Sequence, residues 1–154
     1  MTELTNQIAD AKTAVVKAYA SRLMSEFAAG DKTCLVGVPG SGKTTMAMEL
    51  SDRGMNVHHT DTMITDNFYR SRNKVIKLMR EEGGWLIEGI GALWALQELF
   101  RRDAKAPGNR VLWLSSSRMS LTEGQERMAS GLRTVWNEIE PKLNEQGVTV
   151  KVGF

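Results

Sequence analysis

The sequence predicts an α/β domain of three layers, in which a five-stranded parallel sheet lies between helices. Short apolar segments alternate with longer segments whose apolar residues recur every three or four positions, as strands alternating with helices do. Residues 110–115 are almost continuously apolar, which is typical of a strand covered on both faces. With 154 residues, of which 42% are hydrophobic and 25% charged, the chain has the size and composition of one globular domain, residues 1–154.

Composition and charge exclude several classes of protein. The net charge of +2 gives no overall signal for nucleic acid, so any such signal has to come from local clustering. No apolar run approaches the roughly 18 residues of a membrane span, and the N-terminus lacks a basic-then-apolar signal pattern, so we expect a cytoplasmic protein without a membrane partner. The single cysteine, Cys34, falls in a predicted strand, which favours a small buried hydrophobe over a reactive thiol.

The predicted elements divide the chain into an N-terminal helical extension, residues 1–30, and a core, residues 31–154. The predicted strands are 33–37, 56–60, 85–89, 110–115 and 148–154, and the predicted helices are 3–29, 45–53, 66–82, 92–103 and 120–146. Ser120 with Glu123 predicts a capping box for the last helix, and Pro141 should bend or shorten that helix. The helical residues expected to be buried are Ile8, Ala11, Val15, Ala18, Tyr19, Leu23, Phe27, Phe68, Tyr69, Ile76, Met79, Leu93, Leu96, Leu99, Phe100, Met128, Leu132, Val135, Trp136, Ile139 and Leu143.

Residues 37–44, GVPGSGKT, match G-x-x-x-x-G-K-[ST] at every fixed position between a predicted strand and a predicted helix. In this loop a nest of backbone N–H groups holds a nucleotide's phosphates, and the helix N-terminus adds its positive end. Lys43 would reach the β- and γ-phosphates and the Thr44 hydroxyl would bind Mg²⁺. The predicted phosphate contacts are Gly37, Val38, Pro39, Gly40, Ser41, Gly42, Lys43, Thr44 and Thr45. The alternative is a glycine-rich turn without a ligand.

Two acids close predicted strands: Asp61 follows the second strand, and Glu88 ends the third. Ligands of open α/β sheets bind at the carboxyl edge of the strands, so both acids are candidate site residues. Asp66 is a further candidate for the same cleft, although it also suits the start of a helix.

A phosphate-binding loop followed by an acid after the next strand resembles the small P-loop kinases. These include nucleoside, gluconate and shikimate kinases, zeta-toxin-like kinases and phage polynucleotide kinase. The resemblance spans residues 33–152 and rests on the loop and on Thr60-Asp61. It implies a P-loop kinase-like fold with an extra N-terminal helix, and transfer of the γ-phosphate of ATP, with Mg²⁺, to a hydroxyl of a nucleoside, nucleotide or nucleic acid.

The resemblance also assigns roles to the two acids. Asp61 would accept the proton of the acceptor hydroxyl or orient that hydroxyl, the alternative being a helix cap or turn residue. Glu88 would hold Mg²⁺ through water or contact the substrate, the alternative being a structural acid at the strand end. Such kinases also supply arginines from a lid after the fourth strand. Among Arg118, Arg127 and Arg133, we choose Arg118 and Arg127 as phosphate contacts, the alternative for each being a solvated surface residue.

The helix after Asp61 carries a cationic stripe beside the expected acceptor site. The predicted acceptor or nucleic-acid contacts are Arg70, Arg72, Lys74 and Lys77. Such a stripe holds phosphates, although it is also the ordinary composition of a solvated helix face. Phe68, Tyr69 and Trp94 could supply a stacking surface, with core packing as the alternative.

More loosely, the chain is similar to phage kinases that phosphorylate 5-hydroxymethyluracil in DNA, on Thr60-Asp61, Glu88-Gly89 and the glycines at 124 and 131. Other functions stay open: a P-loop NTPase or switch that hydrolyses ATP for a partner, a small-metabolite kinase, or a nucleotide-binding regulator without catalysis. We expect the N-terminal helix to pack on the sheet, where those kinases place a C-terminal helix, or to form a dimer contact.

Overall fold

The computed structural model describes residues 3–28, 30–63 and 67–153, with the backbone alone for residues 5 and 8–13. The elements are α1 (Glu3–Glu26), β1 (Lys32–Gly37), α2 (Lys43–Asp52), β2 (Val57–His59), a 3₁₀ turn (Thr60–Met63), α3 (Phe68–Met79), β3 (Trp85–Glu88), α4 (Ile90–Arg101), β4 (Arg110–Leu114), α5 (Glu123–Glu145) and β5 (Thr149–Gly153). Each predicted strand and helix is present. Some predictions concern residues that the structure does not describe: Ala29, Asp66 and Phe154, and the side chains of Ile8 and Ala11.

The five strands form one parallel sheet in the order β2-β3-β1-β4-β5, which confirms the predicted α/β class. The central strand is β1, and the predicted phosphate-binding loop follows it directly. In the register of the sheet, Glu88 pairs with Leu35 of β1 on one side and with His59 of β2 on the other. The ends of β2 and β3 therefore bring the two predicted acids to the carboxyl edge beside the loop.

Two apolar clusters, one on each face of the sheet, make the three layers. Cys34 and Val36 of β1 face α3, α4 and α5, whereas Leu35 between them faces α1 and α2. This alternation explains the apolar run of the strands, since both side-chain directions are buried. Burial raises the pKa of the Cys34 thiol to about 12, which confirms Cys34 as an inert core residue.

The N-terminal helix packs on the sheet, as predicted, through a partly different set of residues: Tyr19 and Leu23 are buried as predicted, whereas the buried Val16 and Ala20 were not predicted. Its buried side chains are Val16, Tyr19, Ala20 and Leu23, which join a cluster with β1, β4 and α2. Val15 is 48% exposed and Ala18 is also exposed, so the predicted stripe was wrong at both positions. The buried face of the helix is rotated by about one residue from the predicted face. Residues 16, 19, 20 and 23 share that buried face by the i, i+3, i+4, i+7 spacing. The predicted dimer contact stays a prediction.

Helix α5 differs from the prediction at its start and at its proline. The N-cap is Thr122, whose hydroxyl accepts from the Gln125 backbone N–H, and the Gln125 side chain accepts from the Thr122 N–H. The capping box therefore lies two residues after the predicted one. The helix runs through Pro141 to Glu145 and is not shortened there. Met128, predicted to be inward, is 49% exposed, and Val135 is half-buried.

Helix α3 also departs from the prediction at its start. Phe68 is 44% exposed and Tyr69 is 66% exposed, so the expectation that both are buried was wrong. Both belong to the first turn of the helix, which lies at the carboxyl edge of the sheet rather than over its core; Ile76 and Met79, two turns later, are buried as predicted. Within the described ranges, no helix is both long and apolar enough to cross a membrane.

Candidate active site

Backbone hydrogen bonds fix the conformation of the loop between β1 and α2. The Val38 N–H donates to the Leu114 carbonyl of β4 (3.1 Å), and the Ser41 N–H donates back to the Val38 carbonyl (3.2 Å). Gly42, the N-cap of α2, has φ 92°, a left-handed conformation that strains any residue with a side chain. The motif's last glycine is therefore required by the turn that starts α2.

A cavity of about 470 Å³ opens on this loop. It is lined by Val16, Gly40, Gly42, Lys43, Thr44, Thr45, Arg118 and Met119. Five of these residues are predicted phosphate contacts, whereas Gly37, Val38 and Ser41 are buried and Pro39 is half-buried outside the lining. The volume is that of an ordinary small-molecule site.

Lys43 connects the loop to the two acids. Its Nζ donates to the Val38 carbonyl at 3.5 Å. Burial lowers the pKa of Lys43, while the negative charges of Glu88 and Asp61 act in the opposite direction. The two acids therefore favour the charged amine, which is the form that binds phosphate.

Glu88 is the most connected polar residue of the site and is only 1% exposed. Its Oε1 accepts from the Thr44 hydroxyl (3.3 Å), and its Oε2 lies 2.8 Å from Nδ1 of His59. Glu88 thus joins the start of α2 to the end of β2.

Thr44 and Glu88 suit the predicted Mg²⁺, because hard cations prefer such oxygen ligands and the two side chains already converge. In the part of the chain that the structure describes, no group of three or more His, Cys, Asp or Glu side chains could hold a metal ion. A cation here would need further oxygens, which nucleotide phosphates carry.

Asp61 lies in the 3₁₀ turn after β2, and its side chain is exposed. The turn is fixed to the start of α4, because the Thr60 hydroxyl accepts from the Gly91 N–H at 3.2 Å. Gly89, with φ 118°, lets the backbone approach this turn closely, because a Cβ there would clash with the Thr60 hydroxyl oxygen. Asp61 is not the cap of α3, since Asn67 takes that position by accepting from the Arg70 N–H.

The predicted lid arginines separate. The Arg118 N–H donates to the Gly40 carbonyl (2.7 Å), and its side chain lines the cavity. Arg127 is not part of the lining; its side chain is 76% exposed and pairs with Glu123 at 3.7 Å along α5. Arg133 donates to the Ser115 carbonyl at 3.4 Å. Of the three, the structure brings Arg118 alone to the phosphate-binding loop.

The cationic stripe is present on α3, without one of its predicted members. A surface groove of about 410 Å³ is lined by Asn67, Tyr69, Arg70, Asn73, Lys74 and Lys77. Arg72 points elsewhere: it pairs with Glu98 of α4 at 3.1 Å and lies over the rings of Phe68 and Tyr69. Helical spacing puts Arg72 on a different face from Arg70 and Lys74, which explains why it joins α3 to α4 instead.

An aromatic cluster adjoins this groove. The ring of Phe68 contacts Trp94 of α4 and Tyr69 edge-on, with centroids 4.9 and 5.7 Å apart. Trp94 is half-buried, whereas Phe68 and Tyr69 are largely exposed, so the cluster is a surface and not part of the core. Tyr69 belongs to both the cluster and the groove.

Three residues of the site were not predicted from the sequence: His59, Val16 and Met119. His59 reaches Glu88 through the pairing of β2 with β3, and Val16 reaches the cavity through the packing of α1. Both depend on contacts between distant parts of the chain. The one local signal is the position of His59 in the strand two residues before Asp61.

No protein-family model matches the chain, and no curated protein matches it. Several solved structures are similar to it. A gluconokinase from Sinorhizobium meliloti 1021 is 15% identical, with a TM-score of 0.47, over 80% of this chain and 82% of that one. A thymidylate kinase from Candida albicans is 12% identical, with a TM-score of 0.48, over 82% and 84%. A possible uridine kinase from Bacillus stearothermophilus is 14% identical, with a TM-score of 0.47, over 88% and 96%.

At these identities and scores, the similarities carry no argument about activity, which has to come from the site itself. They give no support to the narrower resemblance to phage kinases of 5-hydroxymethyluracil.

Proposed function

We propose that the protein is a P-loop kinase that transfers the γ-phosphate of ATP to a hydroxyl group of a nucleoside, nucleotide or nucleic acid. One observation carries the proposal: the parallel strands β2, β3 and β1 are neighbours, so Asp61 after β2 and Glu88 at the end of β3 lie at the same carboxyl edge as the phosphate-binding loop, where Glu88 is hydrogen-bonded to Thr44. A loop that only binds a nucleotide does not need an exposed carboxylate beside it. Transfer to an alcohol does, because the hydroxyl must lose its proton.

On the donor side, the N–H groups of the loop and the start of α2 would hold the phosphates, and Lys43 would neutralise charge on the transferring group. Thr44 and Glu88 would hold Mg²⁺, which supplies charge neutralisation between the β- and γ-phosphates when bound. Arg118, which lines the same cavity, adds a second cation on the donor side.

On the acceptor side, Asp61 would accept the hydroxyl proton as the acceptor oxygen bonds to the γ-phosphorus. The bond from that phosphorus to the β–γ bridging oxygen breaks, and ADP leaves with the bridging electron pair. Asp61 suits this role because its carboxylate is exposed at the sheet edge, on a turn held to α4 by the Thr60–Gly91 hydrogen bond.

The class of acceptor is argued from the surface around Asp61. The exposed rings of Phe68 and Tyr69 can stack on a nucleobase, and the Arg70–Lys74–Lys77 groove can contact phosphates. This combination favours nucleosides, nucleotides or nucleic acid over a small sugar-like metabolite. 5-Hydroxymethyluracil in DNA is one such acceptor, because its hydroxymethyl group is a primary alcohol; in a duplex the base would have to be flipped out.

The proposal is tested by incubating the protein with Mg²⁺, γ-labelled ATP and a panel of acceptors: nucleosides, nucleotides, single-stranded DNA, DNA containing 5-hydroxymethyluracil, and gluconate. We expect label in a nucleoside-containing acceptor. Label in gluconate alone would show a small-metabolite kinase. Release of free phosphate without a labelled acceptor would contradict the proposal and indicate an NTPase, and ATP binding with neither outcome would indicate a regulator.

The α3 groove makes a separate prediction about a polymeric acceptor. Arg70→Ala should weaken binding of single-stranded DNA. If it removes one phosphate contact, the slope of log K against log[salt] should become shallower by roughly 0.7. The matched control is Arg80→Ala, because Arg80 is an exposed arginine at the end of the same helix but outside the groove. The measurement is fluorescence anisotropy at several salt concentrations. Equal effects of the two variants would refute a specific role for the groove.

A further inference from the structure

We propose that the N-terminal helix forms one wall of the donor nucleotide site, with Val16 contacting the nucleoside part of ATP. The inference rests on the proposed function for the identity of the ligand. It adds a binding residue from a helix that the phosphate-binding motif does not include.

The cavity on the loop supplies the geometry. Val16 of α1 lines it together with loop residues and Arg118. A Cβ placed on Gly42 would lie 3.7 Å from Cγ2 of Val16 and 3.6 Å from Cδ of Arg118. Val16 and Arg118 therefore both lie within van der Waals distance of the same point of the phosphate-binding loop. A ligand whose phosphates occupied that loop and whose remaining atoms entered the cavity would contact these side chains.

The chemistry of the lining suits a nucleoside. Val16 and Met119 are apolar, and Met119 is 56% exposed. The planar guanidinium of Arg118 is able to stack on a base, and methionine sulfur packs favourably against aromatic rings. Bare phosphate oxygens gain nothing from apolar side chains, because burying a charge beside them carries a desolvation cost. An apolar wall beside a phosphate loop thus predicts recognition of the base or the ribose.

Contacts at the C-terminal end of α1 fix the position of the helix and therefore of Val16. Glu26 pairs with Lys151 of β5 at 2.7 Å, and the Arg110 guanidinium at the start of β4 donates to the Glu26 carbonyl at 2.7 Å. From Glu26 to Val16 the helix rises about 15 Å, at 1.5 Å per residue. Strand β4 covers about 13 Å from Arg110 to Leu114, at roughly 3.3 Å per residue. The helix thus spans the sheet from its amino edge to its carboxyl edge, where the loop lies.

The test compares ATP with inorganic tripolyphosphate, which carries the phosphates without the nucleoside. Affinities of both are measured by isothermal titration calorimetry, in the presence of Mg²⁺, for the full chain and two variants. Val16 is only 4% exposed, so Val16→Phe adds bulk where the packed helix meets the cavity, and circular dichroism checks that the variant folds. Val15→Phe is the matched control, since Val15 is the same residue on the exposed side of the same turn.

We expect Val16→Phe to weaken ATP binding roughly tenfold or more, the scale of a misfit in an apolar pocket, with tripolyphosphate affinity unchanged. Val15→Phe should change neither. An unchanged ATP affinity in Val16→Phe would overturn the inference, as would equal weakening of ATP and tripolyphosphate, which would mean that the loop itself was distorted.

A second measurement does not need the variant to fold. In hydrogen–deuterium exchange on the unaltered protein, ATP should protect the amides around Val16 more than tripolyphosphate does. Equal protection by the two ligands would overturn the inference. The two proposals can fail independently. Nucleoside-dependent binding without transfer to any acceptor would refute the proposed kinase activity but would still support α1 as a wall of the nucleotide site.

Discussion

Replacing Lys43 with alanine should reduce phosphoryl transfer by about 100- to 1,000-fold, the usual scale for removing one preorganised group that stabilises transition-state charge. Lys43 is placed for that role because it lies at the start of α2 and lines the cavity on the loop; burial lowers its pKa, and the charges of Glu88 and Asp61 oppose that lowering. Initial rates of γ-phosphate transfer, measured at saturating acceptor, report the loss. ATP affinity should fall as well.

The control for Lys43 is Lys105→Ala, which removes an exposed lysine from the loop before β4, at the amino edge of the sheet. Its rate should match that of the unaltered protein, and both variants should give the same thermal melt by circular dichroism. Near-normal transfer by a folded Lys43→Ala protein would show that the loop does not bind the donor.

Replacing Asp61 with asparagine should reduce transfer by about 100- to 10,000-fold, the range for loss of a general base, and leave ATP affinity within a few-fold of normal. The asymmetry follows from position. Asp61 lies on the turn after β2, outside the lining of the cavity on the loop, so the change removes the proton acceptor without altering any residue that lines the donor cavity. Asparagine keeps the shape of the side chain and removes its charge. Transfer rates and ATP calorimetry together check the prediction.

Asp52→Asn provides the comparison, since Asp52 is an exposed aspartate in the last turn of α2. It should have normal rates. Full activity in Asp61→Asn would remove Asp61 from the mechanism and leave the base to be found elsewhere on the same edge, where His59 is the next candidate.

The sequence was sufficient for the class of fold and for the loop, because both are encoded by local patterns. Strand and helix periodicity appears within windows of about ten residues, and the phosphate-binding motif fixes its own turn through Gly42. The ends of the strands placed Asp61 and Glu88 at one edge correctly, since all parallel strands share that edge.

The remaining features depend on contacts that a local pattern does not contain. The His59–Glu88 bond needs the order and register of β2 and β3. In the sequence, Arg72 is one of several cations on the same helix. Its pairing with Glu98 becomes evident only from the packing of α3 on α4. Val15 and Val16 are chemically identical, and only the packing of α1 on the sheet decides which is buried.

Glu88 has a consequence for how the two substrates influence each other. One oxygen of its carboxylate accepts a hydrogen bond from the Thr44 hydroxyl on the donor side, and the other is hydrogen-bonded to Nδ1 of His59 beside the acceptor turn. Coordination of Mg²⁺ by Thr44 would alter the Thr44–Glu88 hydrogen bond. Because the buried Glu88 carboxylate also makes the bond to His59, that bond would be affected as well. A change in free energy shared in this way is reciprocal: whatever factor the loaded donor applies to acceptor affinity, the acceptor applies to the donor. Under the proposed function, Glu88 would thereby link the donor and acceptor half-sites thermodynamically.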